Sequence, residues 1–501
     1  MQTCNLYNMA GELTTEKKLN KLLEEGASRP SNAPPTKPLI RRVTHTLRAR
    51  YDEKESNRYY FEPISVAIGP LHHEKDPKKS SRFEIAEECK LQLAAMFIKY
   101  GGSGERKEDF YNNVKEEIDS LRKCYDPKEV ENWNDEELAW MFLVDGCALL
   151  QFIFLDVKNK WEEFGGKNDR IAFAKLDIFL LENQLPYRLL EVLIDSCTRV
   201  PIEGGEANPQ KELKDSITEF ISKSFLSPFE QQQHQTHDNS PNHTPQEQPQ
   251  QHQIQVDPPQ EQPQQHQIQV DPPQEPAHLL ELLRKRLIEV KSEKEDNEKQ
   301  DVWRHTFRSV KELKEKGIVF KARENSSGVI TKIDFNYRYF CIPTLTLAPI
   351  LVDDTTMPKL LNLIAYEMCP DLKNEYEITS YVSFLDSLID SGEDVKELRD
   401  AGVLHNALGS DQAVAELFNK IGENLVPNLE MYRGLKNRIQ KHCNRRWAKD
   451  AQIWHTYFRS PWSIIVFVGA FAGLVMTGMQ TYNSFNDNPA PLKYSSYYYY
   501  H

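Results

Sequence analysis

The chain has 501 residues and a formal net charge of −13, with 39% hydrophobic and 27% charged residues. This balance allows a large folded core and excludes a general nucleic-acid binder, because affinity for phosphate backbones requires clustered Lys and Arg. The eight cysteines are spread through the chain without a CxxC pair. That spacing excludes a disulfide framework and a cysteine-rich zinc site, so we expect reduced thiols in a cytosolic setting.

The first 40 residues pass from MQTCNLYNMAGELTTEKK into the Pro- and Ser-rich RPSNAPPTKP. They contain neither a charged start followed by an apolar stretch nor a glycine after the initiator Met. We therefore expect no secretory signal and no myristoylation. Residues 1–40 are interpreted as a mobile arm before a helical domain whose first part covers residues 41–227.

A short strand is predicted at residues 64–68, where apolar residues alternate with smaller ones before a Gly-Pro pair. The turn after it presents His72, His73 and Glu74. Adjacent histidines invite a metal interpretation, but a zinc site needs two further ligands at suitable spacing. No metal site is predicted here.

Three helices of roughly 18 to 24 residues are predicted next, from SRFEIAEECKLQLAAMFIKY, RKEDFYNNVKEEIDSLRKCY and NDEELAWMFLVDGCALLQFIFLDV. The third is long enough to cross a membrane, but Asp145 lies near its middle. A mid-bilayer Asp costs about 2.5 to 3.5 kcal/mol on insertion scales. We therefore interpret residues 138–155 as a buried core helix.

The densest apolar helical pattern outside the C-terminus is DIFLLENQLPYRLLEVL, residues 177–193. Pro186 interrupts it, because proline has no N–H to donate and clashes with the preceding turn. We expect a kink or a two-helix break there, with Asn183 capping the second helix. Glu182, Asn183 and Gln184 are interpreted as a structural polar knot that satisfies the freed backbone groups at the bend. Another amphipathic helix is predicted at residues 211–225.

Residues 228–276 are rich in Gln, Pro and His, and QQHQIQVDPPQE begins at position 250 and again at position 264. This composition lacks the apolar content that would offset the entropy of ordering. We predict a disordered insertion that can be removed without loss of folding. The repeat would suit a partner-binding tract, although expansion of a tolerated loop is favoured.

The second part of the helical domain is predicted at residues 277–460. Its β-branched and aromatic segments indicate a small β element of two or three strands between residues 318 and 347, after a helix that ends at Gly317. Helices are predicted around it, in HLLELLRKRLIEVK, LLNLIAYEMC, ITSYVSFLDSLIDSGEDVKELRDAG and AVAELFNKIG. A long helix is predicted at residues 428–447.

A transmembrane helix is predicted at residues 461–483, because no charged residue occurs between Arg459 and Asp487. About 20 apolar residues cross the hydrocarbon core of a bilayer. Trp462 and Tyr482 lie where aromatic residues usually meet the membrane interface. The apolar segment therefore indicates a single-pass protein.

Two further features of this segment concern its contacts and its direction. Gly469, Gly473 and Thr477 recur every four residues, a small-residue face that permits close helix packing, either in a homo-oligomer or with another single-span protein. More basic residues precede the span than follow it, namely Lys441, Arg445, Arg446, Lys449 and Arg459 against Lys493. The positive-inside rule therefore predicts a cytoplasmic N-terminal domain and an exported tail at residues 484–501, with the particular membrane left open.

The motifs resemble the plant domain-of-unknown-function 247 family, also described as UPF0481-like. The matching segments run in the family's order and are VAIGPLHH, VDGCALL, DIFLLENQLPYRLLEVL, LKEKGIVFK, NLIAYEMC, TSYVSFLDSLIDSGEDV and YFRSPWSIIVFVGAFAGLVMTGMQTY. The resemblance implies a largely helical protein with one membrane span and no established catalytic residues. Some grass members are associated with self-incompatibility, which is a recognition role.

Two functional hypotheses follow for a mainly α protein with a large multi-helix domain, a small β element and one C-terminal span. The first is a non-enzymatic membrane-anchored protein that binds unidentified protein partners, without nucleic acid, cofactor or metal. The second is a membrane-tethered enzyme that uses Cys443 beside His442, or Asp145 near Cys147. The first is favoured, because GxSxG, P-loop, HExxH and GxGxxG motifs are absent from the sequence.

Overall fold

The computed structural model describes residues 39–51, 59–73, 83–101, 107–198, 208–224, 275–288, 307–324, 328–338, 342–372, 376–423, 425–444 and 461–486. Nearly all of the predicted arm, insertion and tail lies outside these ranges, as does Glu74.

Before the Gln/Pro-rich insertion the described chain is helical. Its helices are α1 (His45–Tyr51), α2 (Glu84–Gly101), α3 (Lys107–Glu116), α4 (Ile118–Arg122), α5 (Pro127–Val130), α6 (Asp135–Val157), α7 (Trp161–Phe164), α8 (Asn168–Asp177), α9 (Tyr187–Asp195) and α10 (Pro209–Lys223).

After the insertion, two small sheets lie among further helices. The elements are α11 (Leu279–Leu287), α12 (Val310–Glu315), β1 (Val319–Ala322), β2 (Asp334–Arg338), β3 (Ile342–Leu347), β4 (Ile350–Val352), α13 (Thr356–Glu367), α14 (Glu377–Leu388), α15 (Gly392–Asp400), β5 (Leu404–Asn406), α16 (Asp411–Gly422), α17 (Arg433–Cys443) and α18 (Pro461–Asn486). The prediction of a mainly α fold with a small β element is confirmed.

Helix α6 is the centre of the first part of the domain. It begins with a capping box, in which the Asn134 side chain accepts from the Glu137 N–H while the Glu137 carboxylate accepts from the Asn134 N–H. Helices α2, α3, α9 and α10 pack around it. The most apolar window of α6 is 89% buried, which confirms the prediction of a core helix.

The sheets are small and partly parallel. In the first sheet β3 lies between β1, to which it is parallel, and β2, to which it is antiparallel. Gly317 precedes β1 with φ +82°, the left-handed conformation expected where a helix ends. A second sheet pairs β4 with β5 in parallel. Sequence alternation missed it, because three-residue strands are too short to show a period.

One hydrophobic core contains buried residues from both sides of the insertion, including Leu189 and Phe220 before it and Leu280 and Leu361 after it. Helix α10, which precedes the insertion, packs against α11, which follows it. The two ends of the insertion therefore belong to neighbouring elements.

Three predicted helices are shorter than the sequence suggested. The second predicted helix breaks at Glu117, whose carboxylate accepts from the Ser120 hydroxyl and the Arg188 guanidinium. The segment at residues 378–402 breaks before Gly392, because the Asp394 carboxylate accepts from the N–H groups of Asp390 and Ser391. The long helix predicted from residue 428 begins only at Arg433.

Candidate functional site

The strand predicted at residues 64–68 is wrong, because this segment is irregular and buried side chains take up its hydrogen bonds. The N–H groups of Ile64, Ser65 and Val66 donate to the carboxylate of Asp177, at 2.9, 2.6 and 2.8 Å. Asp177 is the last residue of α8 and is itself buried. These N–H groups bond to Asp177, so they are not part of a strand ladder.

Asn183 holds the next part of the same segment. Its Oδ1 accepts from the Ile68 N–H at 2.7 Å, and its Nδ2 donates to the carbonyls of Val66 and Asp177, both at 3.0 Å. The prediction that Asn183 caps the helix after the bend is therefore wrong. Helix α9 starts after Pro186 and has no side-chain cap. The bend is also longer than a kink, since residues 178–186 separate α8 from α9.

Lys90 and Asp145 form a buried ion pair beneath this segment. The Lys90 ammonium lies 2.6 Å from Asp145 Oδ1 and 2.8 Å from Glu87 Oε1, and donates to the Ala67 carbonyl at 2.9 Å. Burial alone would lower the pKa of Lys90, but Asp145 and Glu87 outweigh it and hold that pKa above its ordinary value. Asp145 Oδ2 accepts from the Gly69 N–H at 2.8 Å, so both of its oxygens are in use.

Glu182 anchors the N-terminal residues of the domain. Its fully buried carboxylate accepts from the Val43 N–H at 2.8 Å and from the Arg48 guanidinium, and lies 3.1 Å from Nε2 of His72. Burial alone would raise the pKa of Glu182, but the contacts with His72 and Arg48 outweigh it and lower that pKa. The residue is a buried anion with fixed partners.

Gln184 connects the bend to the chain beyond the insertion. Its Nε2 donates to the carbonyls of Ile178 and Leu180, just after the end of α8, at 2.6 and 2.8 Å. Its Oε1 accepts from the N–H of Leu280, in the first turn of α11, at 3.1 Å. One amide thus caps two helices that lie on opposite sides of the insertion.

Asn362 connects the bend to α13. Its Oδ1 accepts from the Leu181 N–H at 2.8 Å, and its Nδ2 donates to the carbonyl of Tyr60 at 2.6 Å. Asn362 is fully buried. The segments VAIGPLHH, VDGCALL, DIFLLENQLP and NLIAYEMC therefore meet at one place.

We name this cluster the polar centre; it consists of Lys90, Asp145, Asp177, Glu182, Asn183, Gln184 and Asn362. Sequence reasoning identified Glu182, Asn183 and Gln184, which lie together in the chain. It missed Lys90, Asp177 and Asn362 as members. A usable signal was present, because each is a polar residue within an apolar helical pattern and buried polar groups are normally paired.

A second buried ionic group lies near the polar centre and was also missed. The Arg284 guanidinium of α11 lies 2.9 Å from Glu367 and is also paired with Glu377. Glu367 accepts in addition from the N–H groups of Ile378 and Thr379, both at 2.9 Å. The group fixes α11 against α13 and α14.

The two histidines of the predicted turn point to different partners. His72 faces Glu182, whereas the His73 ring packs edge-on against Trp133 with ring centroids 5.7 Å apart. Among the residues that the structure describes, no group of three or more His, Cys, Asp or Glu side chains could hold a metal ion.

The residues suggested for an enzyme are engaged elsewhere. The ring nitrogens of His442 lie 3.2 Å from the Tyr337 hydroxyl and 3.1 Å from the Lys316 carbonyl. Burial raises the pKa of the Cys443 thiol, and burial also raises that of Cys147 well above its ordinary value. A nucleophilic cysteine needs the opposite shift.

Helix α18 differs from every helix around the polar centre in its exposure. Its residues 465–484 are long and apolar enough to cross a membrane, and none of that window is buried. Trp462 lies in its first turn, and the side chain of Tyr482 near its other end is 70% exposed. Among the residues that the structure describes, none lies within 4 Å of a Cβ atom added at Gly469 or Gly473. The Thr477 hydroxyl donates to the Gly473 carbonyl at 2.9 Å. That the face formed by Gly469, Gly473 and Thr477 packs against another helix stays a prediction.

Fold and site together define a class: a mainly α domain with a buried polar centre, a small β element and one exposed apolar helix near the C-terminus. The family model DUF247, described as "Plant protein of unknown function", matches residues 40–476. The chain therefore belongs to the DUF247 family.

Two similar proteins come from Arabidopsis thaliana. UPF0481 protein At3g47200 is 24% identical over 456 residues, which cover 84% of this chain and 82% of that protein. Putative UPF0481 protein At3g02645 is 28% identical over 180 residues, which cover 36% of this chain and 33% of that protein. No solved structure matches the chain.

Proposed function

We propose that the protein is anchored in a membrane by α18 and acts there without catalysis, by binding protein partners through its folded domain. The observation that carries the proposal is the exposure of α18, whose apolar window has no buried residue. At 1.5 Å per residue its 26 residues extend about 39 Å, enough to cross a hydrocarbon core of about 30 Å.

The side chains of the polar centre are occupied by contacts within the protein, and this supports the non-catalytic part of the proposal. A catalytic acid, base or nucleophile needs a side-chain atom that can reach a substrate. Both oxygens of Asp145, the three donors of Lys90 and the carboxylate of Asp177 bind other parts of the chain. These groups hold distant segments together, which suits a rigid recognition domain.

The orientation in the proposal follows from the charges beside α18. Five basic residues lie within about 20 positions before the helix and one lies after it, so the domain is cytosolic and the tail is exported. Partners would then be met inside the cell.

Glycosylation mapping tests this orientation. Asn242 and Asn325 each begin a sequon, and both should stay unmodified in cells, whereas a sequon on a polar extension after residue 501 should be glycosylated. Changing Asn242 and Asn325 to Gln provides the control for background modification. Glycans on either native Asn, with none on the extension, would overturn the proposed orientation.

A further inference from the structure

A cavity of about 630 Å³ lies between α2, α6 and α8, beside the segment that Asp177 and Asn183 hold. Its volume falls in the range of sites that enclose a small organic molecule. Its walls are largely apolar and include Ile68, Leu93, Leu149, Phe152, Trp161 and Phe164.

The inner end of the cavity is polar but offers no free hydrogen-bonding group. Lys90 and Asp145 line it, and they neutralise each other. The remaining donors of Lys90 are taken by Glu87 and Ala67, and the second oxygen of Asp145 by Gly69. The interior therefore favours an apolar body over a polar one, because a polar group there would lose its hydration without gaining a partner.

The rim of the cavity is polarised. Lys167 and Arg170 line it at the start of α8, and Glu84 and Glu88 line it on α2. All four residues are exposed, and within the described residues neither Lys167 nor Arg170 is in an ion pair. None of the described side chains caps the N-terminus of α8, and the N–H groups of its first turn add to the positive potential at that side.

We propose that this cavity binds a small amphipathic carboxylic acid, with its apolar body among Phe152, Trp161 and Phe164 and its carboxylate beside Lys167 and Arg170. Ile64 and Ile85, which also line the cavity, are 37% and 56% exposed and would be covered by the apolar body. Covering this apolar surface favours binding, and the rim charges set the orientation of the bound ligand.

The probe is decanoic acid, compared with decan-1-ol and decylamine, which share its chain length and differ in head-group charge. Binding is measured by calorimetry on the full chain in phosphatidylcholine nanodiscs, with empty nanodiscs as the blank for partitioning. The acid should bind most tightly and the amine most weakly.

Two pairs of variants distinguish the contribution of the cavity interior to binding from that of the rim charges. Ala174→Trp fills the cavity and should reduce decanoate affinity at least tenfold, whereas Ala172→Trp, on the exposed side of α8, should not change it. The double variant Lys167→Gln/Arg170→Gln should reduce the affinity for decanoate about 3- to 10-fold and leave the affinity for decan-1-ol unchanged. The double variant Glu84→Gln/Glu88→Gln should not reduce the affinity for decanoate.

Several results would overturn the proposal: no decanoate binding above the blank, equal binding by the two Trp variants, or tighter binding of decylamine than of decanoate. Because the rim residues are exposed, their variants remain informative even if Ala174→Trp destabilises the fold.

Discussion

Helices α6 and α18 are both long and apolar enough to cross a membrane, but 89% of the apolar window in α6 is buried and none of that in α18 is. Helix α6 carries Asp145, which is paired with Lys90, and Gly146, which lets α9 approach closely. Helix α18 has no charged residue, and no described residue lies within 4 Å of a Cβ atom built at its glycines. Hydropathy alone therefore does not distinguish a buried core helix from an exposed apolar helix, whereas a partnered charge within the apolar run does.

The largest expected effect comes from removing that charge. Asp145→Leu leaves the buried Lys90 ammonium without its main partner and should lower the free energy of unfolding by about 3 to 5 kcal/mol. Urea unfolding followed by near-ultraviolet circular dichroism measures the change. Adding Lys90→Met to Asp145→Leu should restore most of the stability. A loss below about 1 kcal/mol in the single variant would show that the pair does not hold α6.

Low pH should reduce the folding stability of the domain that surrounds α6 and should leave α18 unaffected. Buried His278 caps α11, since its Nδ1 accepts from the Glu281 N–H at 3.2 Å, and burial lowers its pKa to about 4 from an ordinary 6.5. A lowered histidine pKa stabilises the folded state above pH 6.5, and this contribution is lost as the pH falls from 6.5 towards 4. The loss reaches about 3 kcal/mol, from about 1.4 kcal/mol for each pH unit.

His278→Asn tests this contribution, because Asn can also accept at an N-cap but does not titrate. The stability of the variant should fall less steeply between pH 6.5 and pH 4.5 than that of the wild type. Identical slopes would mean that His278 is not held neutral in the fold.

The smallest effect is expected from a glycine-to-valine substitution, which can be made in both α6 and α18 and compared. A Cβ at Gly146 would lie 2.4 Å from Leu193 Cδ1 in the core, so Gly146→Val should cost about 1 to 3 kcal/mol. Gly473→Val meets no neighbour in the described part of the chain and should leave the unfolding midpoint of the domain unchanged. Equal effects of the two substitutions would contradict the different packing of α6 and α18.

Features with a local cause could be predicted from the sequence. The long apolar runs of α6 and α18, the β element before residue 348 and the positive φ of Gly317 all follow from neighbouring residues. The bend at residues 182–184 was also identified as polar, because three polar residues interrupt an apolar pattern beside Pro186.

Features whose cause lies far away in the chain could not be predicted from the sequence. Residues 64–66 have the alternation of a strand, but the carboxylate that takes their N–H groups is more than 100 positions away, at Asp177. Asn183 has the chemistry of a helix cap, but it turns towards Val66 and Ile68. In both cases a tertiary hydrogen bond replaced the local one that the sequence suggested.

Deleting residues 461–482 and fractionating plant cells tests the central claim most directly. The claim is that α18 alone, and not α6, holds the protein in a membrane. The deleted protein should move to the soluble fraction with unchanged near-ultraviolet circular dichroism, and an unrelated Leu/Ala span in place of the deleted residues should return it to the membrane. A deleted protein that stays in the membrane pellet after alkaline carbonate extraction would contradict the claim.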